Sequence, residues 1–143
     1  MKGKVIKHSE MQPSYWRDGV KTVVWSADTN GAHNLMMWEQ LIDVGYGAPI
    51  HWHPSEEHLT FYKGRAELYI DGEKQIVEGP ATAIIPKRVK HGFKNIGPGE
   101  LHVIIAMSES VFEAFYEHDP GVVWRAFEGD DGSKQRAVKL VEE

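Results

Sequence analysis

The sequence predicts an all-β domain, built as a sandwich or barrel of short antiparallel strands. β-prone runs recur along the chain, and Gly, Pro and Asp separate them. The length of 143 residues suits one domain spanning 1–143, and 41% hydrophobic residues are enough for a core. Many short strands separated by such turns are typical of all-β sandwiches and barrels.

The predicted strands define a core barrel over about 20–107. Asp71-Gly72-Glu73 lies between two runs and predicts a tight hairpin, because Asp-Gly favours the positive φ angles of such turns. Pro86 ends one run, and Gly97-Pro98-Gly99 precedes another. The main runs are Val20–Trp25, Leu35–Val44, Ala66–Ile70, Gln75–Val77, Ala81–Ile85 and Leu101–Met107.

One later segment, at about 111–118, predicts a short C-terminal helix. Ser110 and Glu113 have the spacing of a capping box, and Asp119-Pro120-Gly121 would end the helix. Its aromatic residues then share one helical face: Phe112, Phe115 and Tyr116.

Composition excludes several classes of protein. A net charge of −5 argues against nucleic-acid binding, which needs a basic surface. The absence of Cys excludes disulfides and thiolate metal sites. The first residues lack the apolar core of a secretory signal, and no apolar run is long enough to span a membrane, so a cytoplasmic location is expected.

Three residues in one short segment suggest a metal site. His51 and His53 are two apart, so in a strand their side chains point to one face. Glu57 has the same parity and returns to that face if the chain resumes as a strand. Two imidazoles and one carboxylate suit Fe(II), Mn(II), Ni(II) or Zn(II). A fourth ligand has to come from another strand, and His91 is the best candidate.

The segment around these histidines resembles the first signature of the cupin superfamily. Five residues separate Gly45 from His51, three separate His53 from Glu57, and six separate Glu57 from Gly64. All three spacings agree with the family pattern.

A second segment resembles the other cupin signature. Four residues separate Pro86 from His91, and three separate His91 from Asn95. Two features depart from the pattern: Arg88 stands where the family has Gly, and the interval from Gly79 to Pro86 is one residue longer than usual. Both affect the turn before His91 and leave the ligands intact.

The resemblance implies a jelly-roll barrel of six to eight strands that binds one divalent metal ion. The implied ligands are His51, His53, Glu57 and His91. Many relatives are homodimers formed by strand exchange at the N-terminus, so a homodimer is expected. The superfamily includes dioxygenases, isomerases, lyases, decarboxylases and ligand-binding modules, so the fold does not select a reaction.

Four other residues are candidates for a role in catalysis or in the pocket. His102 is the only nominee for proton transfer, although its strand favours a structural role over a catalytic one. Phe61 and Phe93 are predicted to point inward as pocket walls or core residues. Gln40 lies in the strand before Gly45 and is either a substrate contact or a solvent-facing residue.

The preferred hypothesis is a small metalloenzyme of the non-haem dioxygenase type. Its substrate would be a small oxygen-rich or aromatic molecule, bound through the two open positions of the metal. Two alternatives stay open: an isomerase or lyase that uses the ion as a Lewis acid, and a module that binds a small ligand without turnover.

Overall fold

A computed structural model of the protein describes residues 2–128 and 134–139. Thirteen strands make up most of these residues, with 3-10 turns at His8–Glu10 and Asp28–Asn30. The strands are β1 Ser14–Arg17, β2 Val20–Ser26, β3 Met36–Ile42, β4 Gly47–Trp52, β5 Glu57–Lys63, β6 Arg65–Ile70, β7 Glu73–Glu78, β8 Ala81–Ile85, β9 His91–Asn95, β10 Leu101–Met107, β11 Glu113–Tyr116, β12 Val122–Glu128 and β13 Lys134–Lys139.

The strands form two antiparallel sheets that enclose the core. The first sheet has the order β1-β2-β3-β10-β5-β8, and the second has the order β13-β12-β11-β4-β9-β6-β7. Consecutive strands along the chain often lie in different sheets, which is the jelly-roll arrangement expected from the sequence.

Alternating burial shows which face of each strand meets the core. In β10, Leu101, Val103, Ile105 and Met107 are buried, while the residues between them are partly exposed. Strand β3 has the same alternation and pairs with β10 along its whole length. A side-chain period of two therefore places one face of each central strand inside the barrel.

The hairpin predicted at Asp71-Gly72 is present between β6 and β7. Both residues have positive φ, 47° for Asp71 and 88° for Gly72. A two-residue loop with this geometry matches the twist of the flanking strands. The partners Ile70 and Glu73 then close the hairpin in register.

The helix predicted at 111–118 is wrong, because the segment contains strand β11. Strand β11 pairs with β4, where Phe115 lies opposite Trp52, and with β12. Its buried side chains alternate along the chain: Phe112, Ala114 and Tyr116. Phe115 points the other way and stacks on the Trp52 ring, with centroids 4.0 Å apart. The segment therefore follows the period of a strand.

Within the part of the chain that the structure describes, no helix has the length and hydrophobicity needed to cross a membrane.

Candidate metal centre

Three separate segments bring the four predicted ligands together. His51 lies in β4 and pairs in register with His91, the first residue of β9. His53 follows in the turn after β4, and Glu57 opens β5 in the other sheet. The cluster therefore joins the two sheets across the barrel interior.

The ligand atoms of these residues converge in the core. One atom from each of His51, His53, Glu57 and His91 lies within 4.8 Å of the others, and all four residues are buried. Nε2 of His53 is 3.1 Å from Glu57 Oε2, and Nε2 of His91 is 2.9 Å from Glu57 Oε1. Nε2 of His51 is 3.1 Å from Nε2 of His53.

The outer nitrogen of every ring is held by a backbone carbonyl. Nδ1 of His51 donates to Pro49 O at 2.6 Å, and Nδ1 of His91 donates to Val89 O at 2.9 Å. Nδ1 of His53 donates to Glu113 O at 2.7 Å, so β11 orients this ring. A carbonyl only accepts hydrogen bonds, so each Nδ1 carries its proton and the neutral ring leaves an Nε2 lone pair facing the cluster.

These residues fit a divalent cation. Three Nε2 lone pairs and a carboxylate face one another, and a set of acceptors at this spacing needs a proton or a positive ion between its members. Nitrogen and carboxylate oxygen are suitable ligands for Fe(II), Mn(II), Ni(II) and Zn(II). With the Nδ1 contacts fixing each ring, the cluster has the outer support that metal-binding histidines usually have.

Burial and neighbouring charges shift the pKa values of the cluster in different directions. Desolvation lowers the pKa of His51 well below its usual value, and the nearby rings of His91 and His53 lower it further. Desolvation also lowers the pKa of His53, but the charge and hydrogen bond of Glu57 outweigh this effect and the net shift is upward. Desolvation opposes ionisation of Glu57, yet the contacts with His53 and His91 hold its pKa well below the usual range. In the metal-free state, proton binding is therefore favoured on His53.

A small inner cavity lies beside the cluster. Its volume is about 20 Å³, which is room for one or two water molecules. Aromatic side chains form much of its wall: Trp16, Trp38, Phe93, Phe112 and Tyr116. Arg17 and Gln40 also line it and provide polar groups besides the ligands.

A second cavity lies outside the first and shares part of its wall. The volume of this outer cavity is about 280 Å³. Trp16, Arg17 and Tyr116 line both cavities, so they stand at the junction between them. One guanidinium nitrogen of Arg17 donates to the Tyr116 hydroxyl at 2.5 Å.

Of the predicted pocket residues, two line the inner cavity. Gln40 is buried, lines the cavity and donates from its amide to Thr22 Oγ1 at 3.1 Å, so it does not face solvent. Phe93 also forms part of the wall. Phe61 is fully buried and packs edge-to-face against Phe93, with centroids 5.6 Å apart, so it supports the wall from behind.

The structure does not bring His102 to the cluster. Its side chain lies on the outer face of β10, where Nε2 is 2.8 Å from Glu39 Oε2 on β3. Its ring also meets the Tyr62 ring edge-to-face, with centroids 5.5 Å apart. This position suits a surface contact between neighbouring strands.

Two functional candidates, Arg17 and Tyr116, were not predicted from the sequence. Arg17 precedes the predicted core barrel and reaches the site through β1, an edge strand. Tyr116 was placed on the predicted helix. The alternation of Phe112, Ala114 and Tyr116 was the one signal in the sequence that favoured an inward-facing tyrosine.

Comparison with known proteins agrees with this architecture. Residues 38–107 match the family model described as the cupin domain. A polyketide synthase protein, CurC, from Streptomyces cyaneus is 28% identical over 109 residues, which cover 76% of this chain and 71% of that protein.

Solved structures give the same fold at lower identity. KdgF from Halomonas sp. superimposes with a TM-score of 0.65 at 17% identity, covering 76% of this chain and 96% of that one. Oxalate decarboxylase from Bacillus subtilis, in a structure described with Mn(II) centres, has a TM-score of 0.65 at 18% identity. That match covers 74% of this chain and 30% of the decarboxylase.

Proposed function

We propose, from the membership of this chain in the cupin superfamily, that its four converging side chains hold one divalent metal ion in a small enzyme. The observation that carries the proposal is the buried cluster of His51, His53, Glu57 and His91, whose ligand atoms lie within 4.8 Å of one another. A buried group of acceptors this dense is costly without a cation, because each group has lost its contact with water.

The proposed metal is one of Fe, Mn, Ni or Zn. All four suit imidazole and carboxylate ligands, and affinity among them follows availability as much as geometry. The Mn(II) centres of the oxalate decarboxylase support manganese as one member of this set. An ion held by these four side chains would have coordination positions left for a substrate or for dioxygen.

The proposed reaction is oxidation of a small oxygen-rich or aromatic molecule by dioxygen. When bound, an iron ion would supply the means of activating dioxygen and of polarising a substrate oxygen. The aromatic wall of the inner cavity leaves room for only one or two water molecules beside the cluster, and Arg17 supplies a fixed positive charge where the inner and outer cavities meet. Gln40 also lines this cavity, and its side-chain nitrogen is held by Thr22 Oγ1.

A second candidate is a lyase or isomerase that uses the metal only to polarise a carbonyl or carboxylate. The Tyr116 hydroxyl favours it, because this group lines both cavities and has a proton to exchange with a substrate. Burial raises the pKa of Tyr116, against the opposing charge and hydrogen bond of Arg17, so the hydroxyl stays protonated at neutral pH. His102, which the sequence nominated for proton transfer, lies on the outer face of β10 and has no role in this second candidate reaction.

Oxygen consumption distinguishes the two candidates. The protein is stripped of metal, reconstituted with Fe(II) without oxygen, and mixed with air-saturated solutions of phenolic, keto-acid and aromatic carboxylate compounds. Oxygen uptake that depends on protein and substrate supports the oxidative version. Turnover under argon with Mn(II), Ni(II) or Zn(II) supports the lyase or isomerase, and Tyr116→Phe should then abolish it.

Two variants make this experiment specific. His91→Ala removes a ligand and should abolish activity, whereas His102→Ala changes a histidine on the outer face and should retain it. Metal binding without turnover under either atmosphere would instead support the module that binds a small ligand. The homodimer and the cytoplasmic location expected from the sequence stay predictions.

A further inference from the structure

Arg17 is a partly buried cation without an anionic partner among the described side chains. Its guanidinium donates to the Tyr116 hydroxyl and lies over the face of the Trp16 ring, with the guanidinium carbon 4.4 Å from the ring centroid. Neither neutralises its charge. Desolvation lowers the pKa of Arg17, and a guanidinium stays charged despite such a shift.

The surroundings of Arg17 add positive charge when the site holds a metal. Among the residues that the structure describes, Glu57 is the one acidic residue that lines the inner cavity, and it is engaged by His53 and His91. A divalent ion with this single carboxylate leaves a net charge of about +1, and Arg17 adds another. The described wall of the outer cavity contains no acidic residue to balance them. An anion is the ligand that this junction lacks.

The geometry of the guanidinium selects the kind of anion. Arg17 has five N–H donors in a planar fork, and one nitrogen is engaged by Tyr116. A carboxylate matches the remaining donors in a bidentate pair. Because Tyr116 accepts a hydrogen bond from Arg17 through its oxygen, its own O–H remains free to donate to the same carboxylate.

The walls of the outer cavity select the rest of the ligand. Trp16 and Trp124 provide indole rings, and Pro49 adds a further apolar side. Trp124 is fixed in place, because its Nε1 donates to Asp119 Oδ2 at 2.8 Å. The inner cavity is too small for a substrate, so the body of a ligand has to remain in the outer one.

We propose that Arg17 and Tyr116 bind the carboxylate of a single-ring or similarly flat organic acid whose body lies in the outer cavity against Trp16 and Trp124. This inference deepens the proposed function, on which it rests for the role of the metal, by naming carboxylate anions as the substrate class. Arg17 lines the inner cavity together with His51, His53 and Glu57, so a ligand held by Arg17 lies at the edge of the metal cluster.

The test uses benzoate as the probe and benzyl alcohol as its neutral counterpart. Both are titrated into the metal-free protein, and binding is followed by calorimetry and by the fluorescence of the tryptophans. The metal-free protein is chosen because benzoate then has no metal to coordinate. Benzoate is expected to bind at least about tenfold more tightly than benzyl alcohol, since charge-assisted hydrogen bonds form only with the anion. Equal affinities for the two probes, or no binding of benzoate, would overturn the proposal.

Variants of Arg17 assign the effect to its side chain. Arg17→Gln should weaken benzoate binding by about tenfold to a hundredfold and leave benzyl alcohol unchanged. Arg17→Lys keeps the charge without the planar fork and should give an intermediate loss. Arg65→Gln is the matched control, because Arg65 is exposed at the start of β6 and the change in charge is the same. Unchanged benzoate affinity in Arg17→Gln would contradict the proposal.

Two further measurements keep the outcomes distinct. If Arg17→Gln does not fold, Tyr116→Phe tests the same carboxylate position, with weaker benzoate binding expected and unchanged affinity counting against the site. If benzoate binds through Arg17 but the cluster binds no metal, the proposed function fails and the carboxylate site stands. If metal binds and turnover is observed while Arg17→Gln keeps full benzoate affinity, the carboxylate site fails alone.

Discussion

Nε2 of His51 and Nε2 of His53 lie 3.1 Å apart in the buried cluster. The pKa of His51 is lowered and that of His53 is raised, so in the metal-free protein a proton on His53 faces a lone pair on His51. A metal ion held by these two residues would take the place of that proton. Proton binding and metal binding at this point are therefore mutually exclusive.

This competition predicts that metal affinity falls as the pH is lowered. Metal binding must displace the proton of His53, so the apparent affinity should fall by about tenfold per pH unit once that ring is protonated. Since the pKa of His53 is raised from 6.5, the fall begins at a higher pH than for an unshifted imidazole. Calorimetry in two buffers of different ionisation enthalpy should show close to one proton released. An affinity that stays constant between about pH 8 and 6 would contradict this account.

Loss of one imidazole should weaken the metal site without unfolding the barrel. His51→Ala is expected to lower metal affinity by more than about a hundredfold. The reason is that removing a group that only hydrogen-bonds to a metal ligand already lowers metal affinity by about tenfold to a hundredfold. Added Zn(II) should raise the melting temperature of the wild type by mass action and leave that of the variant unchanged. Competition with a chromophoric chelator gives the affinity.

His102→Ala is the control for this loss, since His102 pairs with Glu39 on the outer face. Metal affinity should not change in that variant. Unfolding of the metal-free His51→Ala protein would be seen as a loss of its near-ultraviolet circular dichroism. That result would mean that His51 is needed for folding and not only for metal binding.

Glu57→Gln should weaken metal binding less than His51→Ala does, because an amide oxygen still coordinates. The variant should also change how stability depends on pH in the metal-free protein. The pKa of Glu57 is lowered on folding, so its contribution to stability is present above the unfolded value near 4.5 and is lost as the pH falls below it. Urea unfolding at several pH values should show that the stability of Glu57→Gln falls less at acid pH than that of the wild type. Parallel curves for the two proteins would rule out this contribution.

The ligand set was predictable from sequence because it depends on short-range geometry. Two residues of the same parity in a strand share a face, and this rule places His51 beside His53 without knowledge of the fold, although β4 ends one residue before His53. For His91, the prediction also needed the second cupin signature. The contact between His91 and His51 depends on the pairing of β4 with β9, which lies far along the chain.

The errors came from segments whose structure depends on distant partners. The run Phe112 to Tyr116 fits a helical face and an alternating strand equally well, and a short apolar run does not distinguish them. Pairing with β4 decides the outcome. Arg17 was missed for a related reason, because an edge strand brings it to Tyr116 from 99 residues away.

Asn95 should contribute strongly to stability although it does not touch the metal cluster. It is fully buried at the end of β9, and its Nδ2 donates to Ile42 O at 2.8 Å and to Gly99 O at 2.9 Å. Its Oδ1 accepts from the Gly97 N–H at 2.8 Å. Asn95→Ala leaves these three backbone groups without their hydrogen-bond partner. The free energy of unfolding should therefore fall by about 3 kcal/mol.

Urea denaturation of the metal-free protein measures this loss. Asn34→Ala is the matched control, because Asn34 is exposed between β2 and β3 and should change stability by less than about 0.5 kcal/mol. Similar small effects in both variants would show that the turn after β9 holds without the side chain.

Arg88 occupies a backbone conformation that favours glycine. Its φ is +66°, and it stands at the position where the cupin pattern has Gly. Its N–H donates to His53 O at 2.8 Å, so the turn that carries this strain also holds the segment of a metal ligand. A left-handed conformation costs an ordinary residue roughly 1–2 kcal/mol, while Gly adds less than this to the entropy of the unfolded chain.

Arg88→Gly should therefore raise the free energy of unfolding, by up to about 1 kcal/mol. Arg88→Ala removes the same exposed side chain but keeps the strained φ, so it should leave stability nearly unchanged. Urea unfolding of the three proteins separates the backbone effect from the loss of charge. Equal stability in the Gly and Ala variants would mean that the turn before His91 relaxes at no cost, and the left-handed φ of Arg88 would then carry no strain.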